Sequence, residues 1–230
     1  MGRFGPADVD FLIINGMDVL GDATQFEDSR EALTEEITPL GDSAETHAYI
    51  GVKRYSASQQ GFYNDAANRS NAALVGLTTA KILTLATEGN TIGKPVICSK
   101  LVEVQYDRQI SRVALHKANA QYISAEGHDE ALILHALGAR TSSDDTEASS
   151  VDGTAQSTAG GTAYLQVTAL TLGGYDSVTI TVLDDADNSG SFGSLVAFTN
   201  VTAIGAERVT VSGTVERYLA VSWAFNGTGS

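Results

Sequence analysis

The chain has 230 residues, with 28 acidic and 14 basic side chains for a formal net charge of −14. Hydrophobic residues make up 43%, which excludes wholesale disorder, and the length suffices for one large domain or two small ones. No region is basic enough to grip nucleic acid, no apolar run approaches the ~20 residues of a membrane-spanning helix, and the single Cys98 excludes an internal disulfide.

Twenty-three glycines against three prolines, with many Val, Thr, Ile and Tyr residues, favour strands joined by glycine turns. Phe11–Ile14 is an apolar run closed by Asn15-Gly16, the preferred pair of a two-residue hairpin turn, and residues 17–20 supply the return strand. Residues 24–37 are acidic and loosely alternating, which predicts a long strand with one wet face and a bulge. Residues 47–58 alternate weakly and predict a second long strand. Asp65 is placed to cap a helix over AANRSNAALVGL, with Ala67, Asn71, Ala73 and Leu74 on one face and Gly76 as the stop. Residues 81–87, 96–107 and 112–125 read as strands. In the second of these Val102, Val104 and Tyr106 alternate with Glu103, Gln105 and Asp107, which predicts a buried valine face and a solvated acidic face. Residues 129–137 are a short apolar stretch of either type. Residues 141–161 are Ser/Thr/Gly/Asp-rich and read as a linker or long loop. Five strand-like runs follow at 163–170, 177–183, 194–201, 208–212 and 218–225, separated by Gly/Asp/Asn turns, as in a small antiparallel sandwich. The expected division is therefore 1–140, a linker over 141–161, and a C-terminal sandwich over 162–230.

Catalytic and metal chemistry is hard to assemble from these residues. Asp184–Gly190 opens like a calcium loop, but the closing bidentate acid falls at Val196, so a turn is the stronger reading. His47, His116, His128 and His135 lack zinc-binding spacing, and no nucleophile elbow or phosphate-cradling loop is present. Cys98 sits in PVICSKLVEV and reads as a small buried apolar residue. Tyr218 and Trp223 differ in strand parity, which favours a core Trp over a sugar-stacking platform. The N-terminus has a four-residue apolar run and two early acids, so no secretory signal is expected. No enzyme activity, cofactor or metal is expected.

Charge is banded: residues 1–45 hold eleven acids and two bases, 46–140 seven acids and ten bases, and 141–230 ten acids and two bases. Such a surface aids solubility and repels nucleic acid.

The order of short motifs in residues 9–76 resembles the major tail tube protein of long-tailed bacteriophages. The residues that carry it are Ile14-Asn15-Gly16-Met17-Asp18, Phe26-Glu27-Asp28-Ser29-Arg30, Thr38-Pro39-Leu40-Gly41-Asp42 and Gly61-Phe62-Tyr63-Asn64-Asp65. ILHALGARTS at 133–142 and the later GGTAYLQVTAL, SVTITVLDDAD and ERVTVSGTVERYLAVSW resemble the C-terminal region of many such proteins. The resemblance implies a mainly β fold: a β-sandwich with one flanking α-helix that contributes strands to a closed barrel, plus the small C-terminal antiparallel β-sandwich as outer decoration. It is a fold shared with the tube protein of type VI secretion. Six subunits would close a ring, removing exposed strand edges, and rings would stack into a tube through which the genome leaves. A barrel of that many strands encloses an open channel.

On that reading the protein is a structural virion component of a non-contractile tail, assembled in the host cytoplasm. Its partners are itself, as a hexameric ring and stacked rings, and the tape measure, tail terminator and distal tail proteins. Double-stranded DNA passes through without specific binding, and no membrane is involved. The expected lumen acids are Glu27, Asp28, Glu31, Glu35, Glu36, Glu103 and Asp107. The expected ring-stacking loop is Pro39, Leu40, Gly41, Asp42, Ser43, Ala44, Glu45 and Thr46. Two alternatives stay open: a β-sandwich module binding glycans or surfaces through residues 162–230, and a capsid decoration protein.

Overall fold

The computed structural model describes residues 9–36 and 47–228, with backbone alone described at 33–36 and 47–53. Among these residues the chain is mainly β, with several antiparallel sheets, one small helix and no closed barrel. In chain order the elements are β1 (Phe11–Ile14), β2 (Met17–Asp18), β3 (Ala23–Glu36), β4 (His47–Phe62), α1 (Ser70–Leu74), β5 (Ala80–Ala86), β6 (Pro95–Gln109) and β7 (Lys117–Leu132). There follow β8 (Asp144–Asp145), a 3-10 turn (Glu147–Ser149), β9 (Val151–Asp152), β10 (Gly161–Val167), β11 (Ser177–Asp185), β12 (Gly193–Ala197), β13 (Gly205–Val211) and β14 (Tyr218–Asn226). Seven strands hydrogen-bond in the order β2-β1-β5-β6-β7-β4-β3. A second sheet pairs β10 with β13, and a third runs β12-β11-β14-β8, with β9 also on β14. The chain gathers into two compact units: Met1–Gly21 with Ile82–Cys98 and Asp129–Ser230, and Asp22–Lys81 with Ser99–His128.

In the first unit the hairpin forms as the sequence predicts. Asn15 (φ 50°) and Gly16 (φ 79°) both take the left-handed conformation that a type I′ turn requires. Gly16 has a second reason to be glycine: a Cβ there would lie 2.5 Å from the Val167 carbonyl oxygen. Strand β10 lies between two apolar cores, and its period-two alternation serves both. On one side Tyr164 packs against Phe11, Ile13, Ala86, Val96, Cys98 and Ile133 and donates its hydroxyl to Asp129. Gln166, on the same side, donates to the Ile82 carbonyl (3.0 Å) and Thr84 Oγ1 (3.1 Å) and accepts from the Gly16 amide (2.8 Å). On the other side Leu165 and Val167 join Val178, Val201, Val221 and Trp223. All five C-terminal strands occur where turn spacing placed them, and they form the expected small sandwich.

Residues 142–152 run along β14. The Ser142 carbonyl accepts from Trp223 Nε1 (2.8 Å), Ser143 Oγ from the Phe225 amide (2.9 Å) and Thr146 Oγ1 from the Val221 amide (3.0 Å). The short strands β8 and β9 pair with the same strand.

The second unit is built on the β3–β4 pair. It runs antiparallel, with register shifts between Ala23 and Gln25 and between Ala32 and Thr34, as the loose alternation suggested. Strand β4 continues against β7 through Ser56↔Ile123 to Phe62↔Lys117. Gly61 is required by close approach: a Cβ there would lie 2.3 Å from the Asp22 carbonyl oxygen, which accepts from the Phe62 amide (2.8 Å).

The helix departs from expectation. It is a single turn beginning at Ser70, and Ala67 is exposed outside it. The N-cap position is Arg69, whose side chain makes no cap bond. Asp22 instead accepts from the Ser70 amide (3.3 Å) and from Asn64 Nδ2 (3.1 Å). Ser70 Oγ donates to the Phe62 carbonyl (2.9 Å) and accepts from the Asn64 amide (3.1 Å). The cap comes from a residue 48 positions away, so no local reading could find it. Strand β7 also starts later than predicted, at Lys117, and extends to Leu132, absorbing part of the ambiguous 129–137 stretch.

Candidate assembly face

Strand register sorts the second unit's side chains into two faces. Glu27↔Ser58, Ser29↔Ser56 and Glu31↔Arg54 are cross-strand pairs of β3 and β4, and Ser58↔Gln121 and Ser56↔Ile123 extend the same face onto β7. Every one of these side chains is exposed or half-exposed. Glu27, Ser29, Ser56, Ser58, Gln121 and Ile123 line a shallow depression on the sheet together with Val104 of β6. The face carries Ser29, Ser56, Ser58 and Gln121, the exposed aliphatics Val104 and Ile123, the acids Glu27 and Glu31 and, among the described side chains, one base, Arg54, which lies 3.8 Å from Glu31.

The opposite face is closed. Tyr55, Ala57 and Gln59 of β4, Ala118, Ala120 and Tyr122 of β7, and Leu101 and Glu103 of β6 are buried, as are Ala73 and Leu74 of α1. Tyr55 stacks on His128 with ring centroids 4.9 Å apart.

An ion pair lies within this buried set. Lys81 Nζ bonds Glu103 Oε2 and donates to the Ala73 carbonyl at 2.7 Å, with both side chains at most 4% exposed. Burial raises the Glu103 carboxyl above the usual range, opposed by Lys81. Burial, reinforced by Glu103, also raises the Tyr122 phenol. Glu103 Oε1, the Gln59 amide, Asn119 Oδ1 and the Tyr122 hydroxyl have no protein hydrogen-bond partner, an unusual density of buried polar atoms.

This overturns the expected alternation in β6. Leu101 and Glu103 point inward while Val104 is exposed, because Lys81 at the head of β5 supplies a buried countercharge. Val104 and Gln105 are both exposed, and Tyr106 turns back to donate to Asn71 Oδ1 in α1 (3.0 Å), so the alternation slips by one residue between Glu103 and Tyr106. Glu103 is thus withdrawn from the set of strand acids open to solvent.

The other expected acids divide. Glu27 and Glu31 share the open face. Asp28 projects to the opposite side of β3, exposed, 3.8 Å from Arg30. Asp107 is exposed near the end of β6, bonded by Gln105. Glu35 and Glu36 pair through their backbones with Ala48 and His47, and their side chains lie outside the description. The loop Pro39–Thr46 lies outside the described residues altogether. Sequence reading missed Asp22, Lys81 and the β6–β7 connection. A lone lysine heading the apolar run KILTLA was the one available signal.

The C-terminal candidates resolve as structural residues. Trp223 is buried, edge-on to His135 (4.8 Å), with Arg140 over its ring at 5.4 Å. Burial and the nearby Arg140 charge lower the His135 pKa. In the Asp184–Gly190 turn, Asp184 Oδ2 accepts from the Glu216 amide (2.9 Å) and Asp187 Oδ1 from the Ser189 amide (3.1 Å). Among the described residues no group of three or more His, Cys, Asp or Glu is placed to hold a metal ion. Cys98 is a buried core residue, and that burial pushes its thiol up to about 12.

No protein-family model matches the chain, and no curated protein matches it. Among solved structures it is similar to a chain of the virion of the native gene transfer agent particle, at 15% identity and TM-score 0.41, over 56% of this chain and 99% of that one. A chain of the tail of the empty particle, refined with C6 symmetry, gives 16% identity and TM-score 0.39 over 52% and 95%. The SPP1 Dit protein, described as a paradigm of hub adsorption apparatus in Gram-positive infecting phages, gives 11% identity and TM-score 0.36 over 93% and 96%. All three superpositions are loose.

Proposed function

We propose that this chain is a structural virion protein, a subunit of hexameric rings that stack into a phage tail tube. The observation that carries the reading is the open face of the second unit. A sheet this long, closed on one side by tyrosines, alanines and α1, leaves its other side to Ser29, Ser56, Ser58, Gln121, Glu27 and Glu31, with Val104 and Ile123 among them. Hydroxyls and amides offer a sliding polyanion no fixed charge, and two acids against one ion-paired base repel it. A lumen built on this face would let double-stranded DNA pass without sticking.

In this reading the strands of the second unit, all within residues 1–140, form the tube wall, and residues 162–230 lie outside it. Glu27, Glu31 and the strand acids Glu35, Glu36 and Asp107 supply lumen charge, and Pro39–Thr46 meets the adjoining ring. The neighbours in the virion are further copies, the tape measure, the tail terminator and the distal tail protein. The role is structural rather than catalytic. The glycan-binding alternative has less support, since the Trp223 ring that would stack on a sugar is packed in the core.

Negative-stain imaging of the purified full chain tests the proposal. Six-fold rings or tubes are expected. Monomers at every concentration would overturn it, as would assembled tubes in which Glu27 and Glu31 face outward.

A further inference from the structure

The connection between β6 and β7, residues 110–116, carries the three most exposed large hydrophobic side chains among the described residues: Ile110 at 80%, Val113 at 97% and Leu115 at 70%. The tip is not slack. Ser111 Oγ accepts from the Val113 and Ala114 amides at 3.2 and 3.1 Å, which folds the loop on itself and turns the aliphatic side chains outward. A protein seldom leaves three large aliphatics together in water without a surface to cover them.

The charge around the tip indicates the chemistry of that surface. Residues 108–117 contain Arg108, Arg112, Lys117 and His116 and no acid, in a chain whose acids outnumber its bases two to one. An apolar knob ringed by cations complements an apolar patch ringed by carboxylates. Acidic surface is what the rest of this chain presents, with ten acids and two bases over residues 141–230.

We infer that the β6–β7 tip is a docking element whose occupant is an acidic surface of a second copy of this chain. The inference rests on the assembly reading above in taking another copy as the partner, and it assigns the contact to a hairpin distinct from the 39–46 loop. Cations steer the encounter and the aliphatic side chains hold it.

The test uses the full chain in three forms: parent, the triple variant Ile110→Ser/Val113→Ser/Leu115→Ser, and Arg112→Glu. Because these side chains are exposed, circular dichroism and the melting midpoint should be unchanged, which verifies folding. Sedimentation velocity should show at least a tenfold weaker self-association for the triple variant. Arg112→Glu should slow association, and the difference should fade at high salt. A photo-crosslinking residue at position 113 should give a product of twice the chain mass, mapped to an acidic segment of the second copy. Equal self-association of parent and triple variant, a parent monomeric throughout, or crosslinks confined within one copy would each overturn the inference. The two proposals fail separately: tubes that form equally well from the triple variant remove the docking role alone. Tip-dependent association without rings removes the tube alone.

Discussion

Removing Lys81 tests the buried organisation of the second unit most directly. Lys81→Met takes away the bond to Glu103 and the donation to the Ala73 carbonyl, and it leaves a fully buried carboxylate without a countercharge. Removing one partner of a buried pair costs ~3–5 kcal/mol, a large share of the ~5–15 kcal/mol that holds a typical domain together. In a urea titration that corresponds to a midpoint lower by roughly 2 M. Acidity provides an independent check. Burial already raises the Glu103 carboxyl and Lys81 opposes the rise, so the variant's carboxyl should rise further. A folded-state pKa above the unfolded value means the folded state holds the proton more tightly. That contribution favours folding at low pH and is lost as pH rises through the folded pKa. The deficit of Lys81→Met relative to the parent should therefore be small near pH 4 and grow towards pH 8, above the ordinary glutamate value of about 4.3. The double variant Lys81→Met/Glu103→Leu removes both charges and should recover to within ~1 kcal/mol of the parent. A single-variant deficit below ~1 kcal/mol, or one that does not vary with pH, would refute the reasoning.

Three further outcomes follow from the geometry. Asp22→Ala deletes the acceptor for both the Ser70 amide and Asn64 Nδ2, and should cost about 1–2 kcal/mol with faster amide exchange confined first to α1; unchanged exchange there would show that the helix does not need its distant cap. Gly16→Ala places a Cβ 2.5 Å from the Val167 carbonyl at φ 79° and should cost about 2 kcal/mol or more, read as a lower melting midpoint. Arg217, hydrogen-bonded to Asp152, holds that exposed carboxyl at about 2, so Arg217→Ala should return it towards the ordinary aspartate range in an NMR titration. Because the parent's Asp152 pKa is depressed, its contribution is present above the ordinary value and fades as pH falls towards 2; the variant should lack that acid sensitivity.

What could be read from the sequence was whatever local chemistry alone determines. Asn15-Gly16 dictates its turn through left-handed backbone preference, and the glycine- and Asp-rich turns after residue 170 mark out the C-terminal strands without reference to anything distant. The misses share a cause. The start of α1 depends on Asp22, which reaches the Ser70 amide across 48 residues. The inward turn of Glu103 depends on Lys81, 22 residues away, and without that partner the valine face would be the natural one to bury. In both cases a polar side chain's place was decided by a partner brought in by sheet pairing, which period and propensity do not encode. The open face was half legible. Acids in residues 24–37 marked a wet strand, but only the β3–β4 register separates Glu27 and Glu31 from Asp28.

That separation bears on what the open face can do. A lumen wall of alternating acids and bases would bind a polyanion wherever a base came forward, and a wall of acids alone would load the ring with self-repulsion. The face instead spaces Glu27 and Glu31 among Ser29, Ser56, Ser58, Gln121, Val104 and Ile123, and sets the one base among its described side chains beside Glu31. Three further bases of the same unit, Arg108, Arg112 and Lys117, stand at the β6–β7 connection beside the exposed aliphatics. On the proposed assembly the unit sorts its charge by location, with cations at the docking tip and sparse anions on the channel wall. Reversing Glu27 and Glu31 to lysine should leave self-association intact and create salt-sensitive DNA binding where the parent has none. If the double reversal abolished assembly and left DNA binding absent, the open face would be a contact surface between subunits rather than a channel lining.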